Sequence, residues 1–328
     1  MAVLITGGTG FIGLNVSEAL LRRGETVVVA ALDELPRAAR EQFAELPGRL
    51  IEERLDILNS ERMVQLMRDH QVDRLLPFAA VTSGPERESE MPERVIEVNL
   101  VGFIAQLRAA RDAGVKRVIA PASGAVYGES YLDRDVVDES TACFPNDIYG
   151  VTKFAVERVA LRLAQLWSMD LIVARIAGTF GPWERDTGLR DFITPHWRMA
   201  RLAVNGGVAV LPTEIPPCSW TYSRDMASGL VHLLDLRDPP YRVFNVSSGL
   251  EWGQQIRRWP VELERHFPAF RWRQSSQATE VNVGMPDTKA RARMDISRLR
   301  ETGWAPRYTP ELAYEDYADW VRRTPEAL

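Results

Sequence analysis

Apolar and polar positions alternate along the first half of the chain in a way that predicts strands and helices in turn. Short continuous apolar runs are typical of strands buried on both faces, whereas apolar positions recurring at helical spacing predict amphipathic helices. The strand-like runs cover residues 2–6, 26–32, 48–58, 72–80, 116–123 and 171–177. The helical stretches cover residues 11–24, a charged segment from Glu34, 61–70, 92–114 and Tyr149 to about Ser168.

This alternation predicts an α/β fold, a doubly wound parallel (Rossmann) sheet with helices on both faces. We expect residues 1–177 to form this domain, together with a returning strand near 242–248. Beyond residue 178 the pattern becomes irregular, and Pro, Trp and Arg become frequent. Residues 178–328 are therefore expected to form a smaller region over the carboxyl ends of the strands, where open α/β sheets bind ligands.

Composition narrows the class of protein. A chain of 328 residues with 45% hydrophobic composition can form one large domain or two smaller ones. The net charge of −5, without a basic block, argues against a nucleic-acid partner, and no apolar run has membrane-spanning length. The strand-like run at Ala2 leaves no room for a leader, so we expect a cytoplasmic protein. Cys143 and Cys218 have no CxxC or His-rich neighbour, so neither a disulfide framework nor a metal site is expected.

A glycine-rich turn, "TGGTGFIG", follows the first strand and opens the first helix. Gly7 permits the tight turn, Gly10 lets the backbone approach a pyrophosphate, and Gly13 lets the helix pack closely on the sheet. Phe11 and Ile12 would then begin a helix whose N-terminus faces the phosphates. The alternative is a turn without a ligand, but the strand–turn–helix context predicts dinucleotide binding.

The residues after the second predicted strand bear on which nicotinamide cofactor is used. Asp33 lies about 20 positions beyond the glycine turn, where an acidic residue binds the ribose hydroxyls of NAD. Arg37 and Arg40 follow shortly after and offer a 2′-phosphate of NADP a cationic site, unless they only form a solvated helix face. NAD is preferred, and NADP remains open.

Tyr149 precedes Lys153 by four residues in "DIYGVTKFAVERV", which places both side chains on one helical face. An ammonium held near a phenol favours the phenolate and lowers its pKa. Such a pair also occurs by chance in ordinary amphipathic helices. Its meaning depends on the rest of the chain.

The chain resembles the extended short-chain dehydrogenase/reductases, in particular the NAD-dependent epimerase/dehydratase family that includes UDP-galactose 4-epimerase. The resemblance extends from "TGGTGFIG" to "TGWAP" (302–306) and is strongest over residues 1–182. The matching segments, in order, are "LDILN", "FAAVTSG", "VNLVGFIAQLRAARDAGVKRVI", "ASGAVYG", "YGVTK", "GPWE", "YSRDMASGL" and "FNVSSG".

The resemblance implies roles for individual residues. Tyr149 corresponds to the catalytic acid/base, and Lys153 to the group that lowers its pKa and holds the nicotinamide ribose. Ser123 corresponds to the hydroxyl that binds the substrate oxygen, and Asn99 to a helix asparagine supporting the site. The remaining implied cofactor contacts are Asp56, Ile57, Ala79 and Ala80.

Three positions depart from the pattern expected of a nucleotide-sugar enzyme. Gly178 stands where an asparagine often holds the sugar nucleotide, Cys218 where an arginine binds phosphate, and Pro77 where a histidine is usual. A diphosphate without a cationic clamp is poorly held. The candidate substrate-binding residues are Thr82, Ser123, Gly178, Arg185, Arg190, His196 and Trp220, although each of the last four could equally be surface charge or packed core.

These features predict an NAD(P)-dependent oxidoreductase or epimerase that transfers hydride at a secondary alcohol of a sugar-like or sugar-acid substrate. A nucleotide-sugar 4-epimerase or dehydratase is the alternative, with arginines of the second half holding the diphosphate. A dinucleotide sensor without turnover would use the same fold, but it has no need of Ser123, Tyr149 and Lys153 together. The resemblance also implies a homodimer built from the 92–114 and Tyr149 helices.

Overall fold

The computed structural model describes residues 1–132, 134–285 and 290–328. The strands are β1 Ala2–Thr6, β2 Thr26–Ala31, β3 Arg49–Arg54, β4 Val72–Pro77, β5 Arg117–Ser123, β6 Val136–Val137, β7 Asp170–Ile176, β8 Gly178–Phe180, β9 Val208–Pro212, β10 Trp220–Tyr222, β11 Val243–Val246, β12 Arg271–Ser275 and β13 Arg293–Met294. The α-helices are α1 Phe11–Arg22, α2 Arg37–Ala44, α3 Ser60–Asp69, α4 Pro85–Glu90, α5 Pro92–Ile96, α6 Gly102–Ala113, α7 Ile148–Trp167, α8 Pro195–Val204, α9 Ser223–Asp235, α10 Arg258–His266, α11 Ser297–Glu301 and α12 Pro310–Arg323.

Seven strands form one parallel sheet in the order β11-β7-β5-β4-β1-β2-β3. The order reverses at β1, so the connections from β1 and from β4 run to opposite sides and leave a crevice above the carboxyl end of β1. The predicted doubly wound α/β fold is confirmed. The returning strand predicted near 242–248 is β11, which pairs with β7.

The two faces of the sheet bury separate apolar layers because side chains alternate along each strand. Val3 and Ile5 pack with α1, α9 and the aromatic residues of the second half. Ala2 and Leu4 face the other side, where α3, α6 and α7 cover the sheet. Burial on both faces explains why the strands read as continuous apolar runs rather than alternating ones.

The helix predicted over 92–114 is interrupted. It consists of α5, a π-helical segment Glu97–Val101 and α6, and α6 ends at Gly114 with φ +77°. The strands predicted over 48–58 and 72–80 stop at Arg54 and Pro77. In both cases the following residues turn out of the sheet and line the cavity above it.

Much of the second half forms small parallel strand pairs and an aromatic core. β8 pairs with β10, and β9 pairs with β12. Phe180 stacks on His196 with ring centroids 3.9 Å apart, and Trp259 stacks on Tyr317 at 4.7 Å. Across the described parts of the chain, no helix combines the length and apolar character needed to cross a bilayer.

Candidate active site

A cavity of about 740 Å³ lies above the carboxyl ends of the central strands. Its walls come from the glycine turn after β1, the tip of β2, the segments after β4 and β5, the first turn of α7, and the segment that follows β8. This is the crevice at which a doubly wound sheet binds its ligands.

The glycine turn has the close packing that requires glycine at two of its positions. Gly7 has φ +61°, and a Cβ there would lie 2.6 Å from the backbone of Ala79. A Cβ on Gly13 would lie 2.6 Å from the Cα of Gly8. At Gly10 a Cβ would meet only the Gly7 carbonyl oxygen, at 3.1 Å, because the remaining space is the cavity itself.

Helix α1 points its N-terminus into this cavity. Its N-cap is Gly10, which offers no side-chain oxygen to the amides of the first turn. Those amides are left for a ligand, and the helix dipole favours an anionic one. The turn and the uncapped helix therefore fit the pyrophosphate of a dinucleotide.

The tip of β2 and the segment after β3 form the far end of the cavity. Asp33, Asp56 and Ile57 line it there, in the region where the adenosine half of a dinucleotide would lie. Arg37 donates to Glu41 at 2.7 Å, and Arg40 donates to Glu52 at 2.9 Å. Neither arginine lines the cavity, in contrast to Asp33.

Tyr149, Ser123 and Lys153 come together at the opposite end. Asp147 caps α7 by accepting a hydrogen bond from the Gly150 amide at 2.6 Å, which fixes Tyr149 in the first turn. Ser123 ends β5, so its hydroxyl reaches the cavity beside the phenol. The Lys153 ammonium lies 5.6 Å from the centre of the Tyr149 ring.

Burial has the largest effect on the pKa values of Tyr149 and Lys153. It raises the pKa of Tyr149, against the lowering effects of Ser123, Arg190 and Thr82, while Asp147 raises it further. This direction is opposite to the one the sequence suggested for Tyr149, because the cost of placing a phenolate in the cavity exceeds the stabilisation by its neighbours. Burial also lowers the pKa of Lys153, to about 8.

Asn99 lies beneath the site rather than in it. Its amide exchanges hydrogen bonds with Val81, accepting from the backbone N–H at 2.8 Å and donating to the carbonyl at 2.9 Å, and it also donates to the Thr152 hydroxyl at 3.2 Å. These bonds fix the chain after β4 against α7. Asn99 is therefore a positioning residue, and the π-helical turn brings it there.

The remaining cofactor candidates line the cavity. Ala79 and Ala80 form the wall after β4, and the approach of Gly7 to the Ala79 backbone leaves no space between them. Thr82 interacts with the Tyr149 hydroxyl. Gly178 and Trp220 also line the cavity, and a Cβ on Gly178 would lie 3.4 Å from the Trp220 ring.

A segment that we call the strap, residues 184–192, crosses this end of the cavity. Its Arg190 forms a backbone bridge with Thr82. Arg190 also donates to the fully buried Glu184 at 2.9 Å, and its guanidinium lies 5.1 Å from the centre of the Phe11 ring. This arrangement holds a cation beside Tyr149.

Two further contacts fix the strap, and sequence reasoning missed both. Arg87 forms a bidentate ion pair with Asp191, with the closest contact at 2.7 Å, and the Gly84 amide donates to the same carboxylate. Glu184 accepts from the Thr194 amide and hydroxyl. Only the "GPWE" segment offered a signal for Glu184; nothing in the sequence pairs residue 87 with residue 191.

His196 does not belong to the site. It is completely buried between Phe180 and Tyr314, with Nε2 3.3 Å from the tyrosine hydroxyl, and it does not line the cavity. Burial lowers its pKa to about 3, so it stays neutral. The expectation that His196 binds substrate is replaced by a packing role in the aromatic core.

Comparison with known proteins identifies a family and several relatives. The model of the NAD dependent epimerase/dehydratase family matches residues 3–247. The UDP-glucose 4-epimerase of Neisseria gonorrhoeae is 25% identical over 349 residues, covering 99% of this chain and 98% of that protein. A dTDP-glucose 4,6-dehydratase of Xanthomonas campestris pv. campestris is 25% identical over 332 residues, covering 97% of this chain and 92% of its own length.

Among solved structures, the UDP-glucose-4-epimerase of Stenotrophomonas maltophila, with bound NAD and formylated UDP-arabinopyranose, is 26% identical and superposes with a TM-score of 0.79 over 100% of both chains. The family match covers well over half of the chain. The resemblance noted in the sequence is thereby confirmed: the chain belongs to the NAD-dependent epimerase/dehydratase family and is an enzyme of the extended short-chain dehydrogenase/reductase type.

Proposed function

We propose that the protein transfers hydride between NAD and a secondary alcohol of a sugar-like or sugar-acid substrate, with Tyr149 as the acid/base. The observation that carries this proposal is the convergence of Tyr149, Ser123 and Lys153 in a cavity that is also lined by the uncapped N-terminus of α1. A bound nicotinamide would accept hydride from the carbinol carbon, or return it.

The side chains have distinct tasks in this proposal. Tyr149 as phenolate takes the proton of the substrate hydroxyl, and as phenol returns it in the reverse direction. Ser123 donates a hydrogen bond to the same oxygen as it becomes a carbonyl. Lys153, one helical turn beyond Tyr149, stabilises the phenolate and holds the ribose next to the ring.

NAD is the proposed cofactor. Asp33 is exposed at the tip of β2 and is available to accept from ribose hydroxyls, whereas its charge would repel a 2′-phosphate. Arg37 and Arg40 are occupied by Glu41 and Glu52. The NAD in the related epimerase structure agrees with this choice.

An acidic substrate is supported by Arg190. Its guanidinium is held at the reacting end by Glu184 and acts electrostatically on the Tyr149 phenol. A carboxylate near the reacting carbinol would pair with this cation through charge-assisted hydrogen bonds. Cys218 lines the cavity where an arginine for a diphosphate was expected, which also favours a sugar acid over a nucleotide sugar.

A nucleotide-sugar 4-epimerase or dehydratase remains the second candidate, because relatives that span almost the whole chain carry those names. A substrate panel separates the two. Incubation with NAD should yield NADH absorbance with aldonic or uronic acids and leave UDP-glucose and dTDP-glucose unconverted. Conversion of the nucleotide sugars alone would overturn the sugar-acid assignment.

Arg190→Met tests the anchor within the same panel. Loss of a charged hydrogen bond should raise KM for the acid about tenfold to hundredfold. The acidic limb of the pH profile should also move to higher pH, because Arg190 lowers the pKa of Tyr149. Arg198→Met, at an exposed position on α8, is the matched control and should change neither quantity.

We also propose a homodimer. Ile96, Val101 and Val151 are 44%, 51% and 50% exposed, and they lie on α5, the π-helical turn and α7, which pack against one another. A second copy covering this face would bury them. Sedimentation equilibrium should give twice the chain mass; a monomer would rule the dimer out.

A further inference from the structure

Arg185 has an unusual environment within the cavity wall. Its Nη1 atom is buried and has no hydrogen-bond partner among the described residues. In the part of the chain that the structure describes, it forms no ion pair within 4.0 Å, although the charge of Asp33 acts on it. A buried guanidinium nitrogen without a partner is unfavourable, and an oxygen of a bound anion would supply that partner.

The position of Arg185 is fixed by the residues just before it. The Pro182 carbonyl accepts from the Asn15 side chain at 2.8 Å. The Trp183 indole donates to Glu18 at 2.7 Å. Both partners lie on α1, so the backbone entering Arg185 is attached to the helix whose N-terminus faces the cavity.

Arg185 therefore shares the cavity wall with the glycine turn and not with the catalytic group alone. Gly10, Phe11, Ile12 and Asp33 line the same cavity as Arg185, and the charge of Asp33 acts on the Arg185 guanidinium. A pyrophosphate resting on the α1 amides would present its outer oxygens toward the cavity space that this guanidinium borders.

We propose that Arg185 binds the pyrophosphate of the dinucleotide, so that the strap contributes a cation to cofactor binding in addition to its substrate contacts. A 2′-phosphate is the other phosphate of a nicotinamide cofactor, but it would lie against the Asp33 carboxylate. The pyrophosphate avoids that repulsion because it lies over the helix N-terminus. This inference depends on the proposed NAD assignment but not on the identity of the substrate.

Calorimetric titration without substrate tests the proposal. Arg185→Met should weaken binding of both NAD and ADP-ribose about tenfold to hundredfold, and Arg185→Lys should recover part of the loss. ADP-ribose lacks the nicotinamide ring. Weaker binding of ADP-ribose by the variant therefore places the effect on the part of the cofactor that contains the pyrophosphate. Arg198→Met should bind both ligands as the wild type does.

Two further measurements support the titration. The wild-type Kd should rise more steeply with salt than that of Arg185→Met, because one charge contact is missing in the variant. The increase in Tm caused by NAD should shrink in the variant, while the Tm of the ligand-free protein shows that it remains folded. Unchanged NAD affinity, or a loss confined to NADP, would overturn the proposal, whatever the substrate panel shows.

Discussion

The glycine turn and the strap lie on the same cavity but are built in different ways. The turn is made by consecutive residues, and its close contacts at Gly7 and Gly13 are to Ala79 and Gly8 backbone. The strap depends on partners about a hundred positions away, through the Thr82–Arg190 bridge and the Arg87–Asp191 ion pair. The backbone that would receive the pyrophosphate is thus one continuous segment packed on Ala79, whereas the substrate end is held by side-chain contacts between distant segments.

This difference predicts that cofactor binding and chemistry can be separated. Tyr149→Phe removes only the hydroxyl, so turnover should fall by about 10²–10⁴-fold or more. The Kd for NAD should change little, because the glycine turn and α1 are untouched. Steady-state kinetics measure the turnover, and calorimetry on the same preparation measures the Kd for NAD. Full activity in the variant would show that Tyr149 is not the acid/base.

The next largest effect is expected for Lys153→Met, and it concerns the free energy of unfolding rather than the reaction rate. The pKa of its ammonium is lowered from 10.5 to about 8 in the folded protein, so below pH 8 the folded state bears the cost of a buried charge. Lys153→Met should therefore raise the free energy of unfolding by up to about 3 kcal/mol at pH 7.

The stability gain from Lys153→Met should disappear with rising pH. Between pH 8 and 10.5 the folded protein loses this proton before the unfolded chain does, so the wild type recovers the difference across that window. Urea denaturation at several pH values measures it. Lys116→Met, at an exposed lysine, should show no such trend; a constant difference for Lys153→Met would mean that the amine is not strained by burial.

The smallest effect should come from the support of the strap. Arg87 and Asp191 are partly exposed, with side chains 21% and 28% accessible, and such ion pairs contribute about 0.2–1 kcal/mol. Arg87→Ala should raise the substrate KM about twofold to fivefold and leave the NAD Kd unchanged. The NAD Kd should stay the same because Arg185 is anchored through Pro182 and Trp183 to α1 rather than through Arg87. A higher NAD Kd would show that the Asp191 and Arg185 parts of the strap are not held independently.

Features that depend on neighbouring residues could be predicted from the sequence, and features that depend on distant contacts could not. The parallel sheet and the glycine turn were predictable because each depends on a short-range pattern, whereas the role given to Tyr149 and Lys153 came from the family resemblance. The π-helical turn at Asn99 was not predictable, because its hydrogen bonds to Val81 and Thr152 become possible only after the sheet has formed.

In the second half, the sequence shows which residues are polar or aromatic, but it does not predict which residues they contact. His196 and Arg190 looked equally able to bind an anion. The structure places His196 in a stack with Phe180 and holds Arg190 beside the cavity through Glu184. Which of two such residues is buried in the core depends on long-range packing, which a local pattern does not contain.

A crystal structure with NAD and a bound substrate acid tests the central claim most directly. The Tyr149 hydroxyl and the Ser123 hydroxyl should both lie about 3 Å from the oxygen of the reacting carbinol, on the side that faces nicotinamide C4. A Tyr149 hydroxyl turned away from the ring, with the substrate oxygen held by other groups, would contradict the account.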